Sequence, residues 1–311
     1  MPHIRSLLIS RAVRLLKKAA VTALVAGVLV APIMAQELTG TLKKVKDTGT
    51  ITLGVRESSI PFSYYDQNQQ IVGYSYEFAL KAVDAVKRQL NMPNLQVKRI
   101  PVTPQNRITL LQNGTIDLEC GSTTNNTARQ KQVDFSNTIF VIGTRLLTRK
   151  DSGIKDFPDL AGKTVVTTAG TTSEPLLTRM NQEKNMHMNI ISAKDHGESF
   201  LILQSGRAVA FMMDDVLLYG ERMKARNPSD WIVTGTPQSH EAYGCMLRKD
   251  DPEFKKLVDT TFAQAMKSGE ADRIYKKWFQ SPVPPKGQNL DLPMSPDLAA
   301  DFKEPNDKPY Q

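Results

Sequence analysis

Residues 119–140 read ECGSTTNNTARQKQVDFSNTIF, and a short apolar strand (Ile116, Asp117, Leu118) leads into them. Gly121 ends the strand, three hydroxyls follow in a row (Ser122, Thr123, Thr124), and Arg129 stands five residues further on. Backbone donors and arginine take a carboxylate, while hydroxyl and carbonyl oxygens accept from an ammonium. The set suits a zwitterionic head group. No nucleophile–base pair stands beside it, so the stretch reads as a grip and not as a reaction centre. The pattern returns once, where Gly170-Thr171-Thr172-Ser173 follows a second strand at 163–168. N-capping of a helix explains either loop alone. Two of them, opposed across one cleft, are harder to dismiss.

Outward from these loops the chain alternates strands and helices. Strands are expected at 51–55, 95–100 and 116–120, with helices at 75–90 and 106–113, before an extended apolar run at 141–149. The alternation restarts with strands at 163–168, 188–192 and 208–213, and helices at 174–184, 198–204 and 216–225. A second extended run at 243–247 precedes helices at 251–267 and 271–279, ended by Pro282, Pro284 and Pro285. Repeated βα units argue for an α/β fold of two lobes, each a mostly parallel sheet flanked by helices. The second unit is inserted into the first. The expected divisions are lobe 1 at 36–143 and 242–285, lobe 2 at 144–241, and a polar, proline-rich tail at 286–311 laid over the surface. Two crossings permit a hinge, and ligands of open α/β sheets bind beyond the carboxyl ends of the strands.

Residues 1–35 read as a secretory signal peptide. Arg5, Arg11, Arg14, Lys17 and Lys18 form a positive region without an acid, an apolar run covers 19–30, and Ala35 offers a small-residue cleavage position. Twelve apolar residues are too few to span a bilayer. Export to the periplasm is therefore expected. With the leader removed, the formal charge falls from +8 to +3, and nucleic acid loses its support as a partner. The two cysteines, Cys120 and Cys245, both survive processing. An oxidising compartment favours a disulfide between them, the alternative being two buried thiols.

Longer segments carry a family likeness: RESSIPFSYYD (56–66), QNRITLLQNG (105–114), TAGTTSE (168–174), ISAKDHGESF (191–200), GRAVAFMMDD (206–215) and EAYGCMLRKDDPEFKKL (241–257), together with ECGSTTNNTARQKQVDFS (119–136). They resemble the periplasmic glutamate/aspartate-binding proteins of solute-binding protein family 3, which serve ABC transporters of the polar amino-acid class. The likeness runs from about Leu42 to FKEPNDK near the C-terminus. It implies a type II periplasmic-binding-protein fold with the ligand between the lobes. It also implies a monomer that takes L-glutamate or L-aspartate to an inner-membrane permease, with no cofactor and no metal.

By that resemblance, Arg129, Thr124 and Thr172 hold an α-carboxylate. Asp214 faces the α-ammonium with help from Ser122, and Arg56, Arg107 and His196 surround a distal carboxylate. A dicarboxylic amino acid needs two cationic subsites and one anionic one, and this set supplies them. Each residue also has a plainer reading: solvated helix arginines, a terminal strand charge at Arg56, a turn histidine at His196, and a cap or half of an Asp214–Asp215 metal pair. Phe62, Tyr64 and Tyr65 either wall the cleft or seal lobe 1. Pro104 stands where members of the family often carry a hydroxyl, so one hydrogen bond to a distal carboxylate is lost there. An enzyme on the same fold, such as a dehydratase, would need a general acid or base. Glu119 and Asp214 are the candidates; Glu119 is expected to point away from the loop, and arginines to hold a cleft acid ionised. A sensory receptor is the third reading.

Overall fold

The computed structural model describes residues 37–310, so the leader expected at 1–35 lies outside the described residues. Two five-stranded sheets organise the rest. The first runs in the order Gln96–Pro101, Thr50–Val55, Leu118–Glu119, Met246–Leu247, Asp134–Phe135. The second runs Asn189–Ala193, Thr164–Thr168, Ala210–Asp214, Thr144–Arg149, Trp231–Thr234. In each, the first two pairings are parallel and the last two antiparallel. Three parallel strands thus form the half of each sheet expected from βα repetition. The antiparallel pairings all involve the strand that directly follows a crossing, Met246–Leu247 in the first sheet and Thr144–Arg149 in the second.

The two crossings lie side by side. Phe140–Ile142 and Glu241–Tyr243 pair antiparallel, and Thr124–Asn125 joins the other edge of Glu241–Tyr243. The extended run at 141–149 is therefore two strands, broken at Gly143, and the run at 243–247 is likewise split by Gly244 and Cys245. Phe140 and Tyr243 anchor this small sheet in an aromatic cluster. Phe62 meets Phe140 and Tyr243 edge-on at 4.9 and 5.2 Å, and Phe140 stacks on Phe279 at 4.8 Å. Edge-to-face pairs of this kind add about 1 kcal/mol each beyond their buried area. Phe62 and Tyr64 are thus core of the first lobe, fully buried, rather than cleft wall.

Beside short elements such as the helices Gly40–Thr48 and Thr127–Gln130, three regions depart from the expectation. A small sheet of Ser58–Ser59, Ser63–Tyr65 and Ile71–Val72 covers 58–72, where hydroxyls and turn residues hide the period-two pattern. The strand at 116–120 is only Leu118–Glu119. The tail contains the helix Pro296–Lys303, capped by the Ser295 hydroxyl accepting from Leu298 N–H. Beyond it, the Asp307 carbonyl accepts from Asn125 and Gln130, and the Asn306 carbonyl accepts from Thr138 N–H. Tyr310 meets His240 edge-on at 4.5 Å, so the tail lies across both crossing segments.

Cys120 and Cys245 are joined in a disulfide. Each flanks one member of the antiparallel pair Glu119–Met246, which brings their Cα atoms to 4.4 Å. The sequence separation is 125 residues. A cross-link of that span removes up to about 5 kcal/mol of unfolded-chain entropy. Replacing both cysteines by serine is expected to lower the unfolding free energy by about 2–4 kcal/mol, read by urea denaturation beside the oxidised wild type.

Candidate functional site

The parallel strands aim the site. Arg56 directly follows Thr50–Val55, Arg107 lies beyond Gln96–Pro101, and Ser122 to Thr124 follow Leu118–Glu119. In the second lobe Thr172 follows Thr164–Thr168, His196 follows Asn189–Ala193, and Asp214 ends Ala210–Asp214. Seven of the eight residues expected at the site therefore sit at carboxyl ends of strands or shortly beyond them, where open α/β sheets bind ligands, and Arg129 follows on the helix Thr127–Gln130. Arg56, Arg107, Arg129, His196 and Asp214 are each at most 9% exposed, far from the solvated positions of the plainer readings.

On the first lobe the two arginines share one loop. Arg56 Nη1 donates to Ser122 Oγ at 3.4 Å, and Ser122 Oγ lies 3.2 Å from Ser59 Oγ. Arg107 Nη1 donates to the Ser122 carbonyl at 3.1 Å and to the Thr123 hydroxyl. Thr123 in turn donates to Glu119 Oε2 at 2.7 Å. Glu119 therefore does not point away. It is fully buried beside both guanidiniums, because the strand ends there and its side chain turns under the loop. Gly121 permits that approach: a Cβ on it would lie 2.5 Å from Glu119 Oε1 and 2.8 Å from Arg56 Cγ.

Burial first, and then the neighbouring Arg107, bring the Arg56 guanidinium down to about 10. Burial likewise lowers Arg107, with Glu119 the chief opposing influence. Glu119 is the leading counter-charge to both cations, with Asp195 acting further on Arg56 and Asp214 on Arg107. Arg107 Nε is buried without a hydrogen-bond partner, so the cluster also keeps an unused donor.

Arg129 completes the first-lobe set. Its Nη1 donates to the Thr124 carbonyl at 2.9 Å, and its Nη2 reaches the Gly170 carbonyl on the second lobe at 3.2 Å. Burial, and then Arg107, lower it to about 10. Gly170 has a φ of +76°, and a Cβ there would lie 2.6 Å from Gln105 N, beside Pro104. Only a glycine lets the two loops meet at backbone distance.

The second lobe brings His196 and Asp214 to this surface. His196 Nε2 faces Arg56 Nη2 at 3.4 Å, and Nδ1 faces Thr168 Oγ1 at 3.0 Å. A guanidinium only donates, so Nε2 is the acceptor and Nδ1 carries the proton. The Thr168 hydroxyl then passes its own proton toward Ser199 at 2.8 Å. Burial, followed by Arg56, Arg107 and Lys224, holds the imidazole well below its ordinary pKa, hence neutral. In this tautomer His196 supports Arg56 rather than offering a donor of its own.

Asp214 accepts from the Tyr243 hydroxyl and, at 3.4 Å, from Thr144 Oγ1. Burial first, then Glu241, push its carboxyl well above the usual range. At Asp214 desolvation and a second carboxylate thus outweigh the arginines in direction. Asp215, the first residue of the helix Asp215–Lys224, accepts from Val216 N–H at 2.7 Å. Among the described residues no cluster of three or more metal-ligating side chains occurs.

Thr124 and Thr172 meet at a residue not foreseen from the sequence. Both hydroxyls donate to Glu241 Oε2, at 2.5 and 2.8 Å. Tyr243, Glu241, Thr144 and Ser59 all belong to the cluster. Each is hidden in the sequence by lying on a short strand with no charge pattern of its own, although EAYG opens the 241–257 segment that carries part of the family likeness.

Two lobes, a paired-strand hinge and a buried cluster of arginines and carboxylates between them define a binding protein of the hinged α/β class. The sequence matches the family described as bacterial extracellular solute-binding proteins, family 3, over residues 51–281, and the chain belongs to that family. It is 62% identical to the L-glutamate/L-aspartate-binding protein of Pseudomonas aeruginosa, across 92% of this chain and 95% of that one. It is 60% identical to the glutamate/aspartate import solute-binding protein of Escherichia coli, with the same coverage. Among solved structures, a mutant of ArgBP from T. maritima aligns with a TM-score of 0.68 at 28% identity, over 77% of this chain and 99% of that one. The ancestral amino acid-binding protein AncCDT-1, a precursor of cyclohexadienyl dehydratase, aligns at 0.65 with 30% identity, over 77% and 99%.

The neutral His196 sets a pH dependence. Its folded pKa lies below the unfolded value of about 6.5, so the stability it contributes is present above that pH and lost as pH falls through the folded value. The wild type is expected to lose up to about 1.4 kcal/mol per pH unit from this group below pH 6.5. His196→Gln removes that slope, as urea titrations of both proteins at pH 5, 6 and 7 would read.

Proposed function

We propose that this chain is the periplasmic receptor of an amino-acid ABC transporter, capturing L-glutamate and L-aspartate by lobe closure. The observation that carries the reading is the burial of Arg56 and Arg107, each 1% exposed, with Glu119 the leading counter-charge to both. A charged pair in such surroundings is stable only when its charge and hydrogen bonds are matched. A ligand side-chain carboxylate supplies the missing negative charge, and Arg107 Nε is a donor left over for it. Asp214, beside Tyr243, offers carboxyl oxygens to an ammonium, whose own charge would favour the ionised form there, and Arg129 takes the α-carboxylate. In this reading lobe 1 comprises 36–143 and 242–285, lobe 2 comprises 144–241, and the 1–35 leader directs export and is cleaved.

The relatives from Pseudomonas aeruginosa and Escherichia coli support the ligand class by their names. The contacts that span the cleft support closure: Arg129 to Gly170, Arg56 to His196, and Gly197 N–H to Ser58 Oγ at 3.3 Å. Closure follows the ligand only because contacts differ between open and closed forms. The rims brought together are then the surface that the permease reads. The protein acts as a monomer, with no cofactor and no nucleic acid.

An enzymatic reading has one observation in its favour, the raised pKa of Asp214, which keeps a proton available in the cleft. Recovery of unaltered L-glutamate after prolonged incubation decides against it. Calorimetry on the mature protein tests the binding reading. L-glutamate is expected to bind in the micromolar range or tighter, about −8 kcal/mol or more. L-glutamine, which leaves the arginines under-compensated, is expected to bind roughly a thousandfold more weakly. Equal affinities would reject the distal assignment.

A further inference from the structure

We propose that Glu241 is the latch of lobe closure: one carboxylate oxygen ties Thr124 of the first lobe to Thr172 of the second and fixes the direction of both hydroxyls. The proposal rests on the binding reading above and adds to it a residue outside the ligand set that the family likeness implies.

Its position is unusual for a mere ion-pair partner. Glu241 opens the strand Glu241–Tyr243, the middle strand of the sheet that carries the chain between lobes, and pairs with Ile142 on the other crossing strand. It is 7% exposed. Thr124 reaches it from the neighbouring strand at 2.5 Å, while Thr172 reaches it at 2.8 Å from the foot of the second-lobe helix Ser173–Glu183. Hydrogen bonds to an ionised acceptor are about twice as strong as neutral ones. Glu241 stands at the boundary between the lobes, on a strand paired to the first-lobe strands Thr124–Asn125 and Phe140–Ile142, so the Thr172 arm reaches from there to the second lobe and is lost when the lobes part. The carboxylate also faces the buried Arg129 and supplies it with counter-charge.

The arrangement has a chemical consequence for the ligand. A hydroxyl has one proton to give. With both protons given to Glu241, Thr124 and Thr172 turn only lone pairs toward the cleft. Lone pairs suit an ammonium. The α-carboxylate then falls to Arg129 and to backbone N–H groups, a different division of labour from the one in which the threonine hydroxyls donate to it.

A latch and a competitor make opposite forecasts. If Glu241 holds the closed form, removing it speeds ligand release; if it merely fills the place of a ligand carboxylate, removing it tightens binding. The test uses the mature chain with L-glutamate, by calorimetry and stopped-flow fluorescence. Glu241→Ala is expected to raise Kd at least tenfold, through faster dissociation with association unchanged. Glu241→Gln should fall between, because its amide oxygen still accepts from one hydroxyl. Glu241→Ala combined with Thr172→Val should be no weaker than the weaker single variant, since both cut the same arm. Binding by Glu241→Ala as tight as or tighter than wild type, or effects that simply add, overturns the latch. Should Glu241→Ala fail to fold, the cycle of Glu241→Gln with Thr172→Val separates the same two outcomes. If the wild type binds no acidic amino acid, the functional reading fails instead. Small-angle scattering without ligand then decides alone: a larger radius of gyration for the variant supports the latch, and an equal one overturns it.

Discussion

The burial of three guanidinium groups in one cleft is the constraint that the rest of this structure answers. Desolvation works against every one of them, and mutual repulsion adds to it at Arg56 and Arg129. Such groups persist only with partners on all sides. The loop 121–124 supplies hydroxyls and a carbonyl, Glu119 supplies a charge from below, and the second lobe brings His196, Gly170 and Asp214 from above. Arg56 and Arg129 draw hydrogen-bond partners from both lobes, while Arg107 draws them from the first. The apposition of the two sheets is thereby tied to the same electrostatics that would hold a ligand.

That dependence explains the small details at the contact. Gly121 and Gly170 are glycines because side chains there would strike Glu119 and Gln105. The neutral imidazole of His196 follows from facing a guanidinium: a second positive charge at that spot would be repelled, and a lone pair is what Arg56 needs. The disulfide between Cys120 and Cys245 pins the return strand beside the loop that carries Ser122 and Thr124.

Much of this is legible in the chain. Alternating apolar runs place both sheets, and the repeated Gly-hydroxyl loops mark the two carboxyl-end positions that face each other. Arg129 comes forward with its own loop, and Arg56, Arg107, His196 and Asp214 through the family resemblance, not through any periodicity; the fold buries all five. What stays hidden lies in short or irregular pieces. Strands of two or three residues, such as Ser58–Ser59 and Glu241–Tyr243, are too brief to show a period. The inward turn of Glu119 escapes the sequence because direction at a strand's end depends on the turn that follows. The raised pKa of Asp214 escapes it because burial and Glu241, distant along the chain, set that value.

Thr124, Glu241 and Tyr243 belong to the very ribbon about which the lobes would swing. Taste and stiffness are therefore written in the same few residues. A lineage that retunes this cleft for another solute cannot alter the chemistry at those positions without also resetting how readily the jaws part. Drift in preference and drift in gating would travel together.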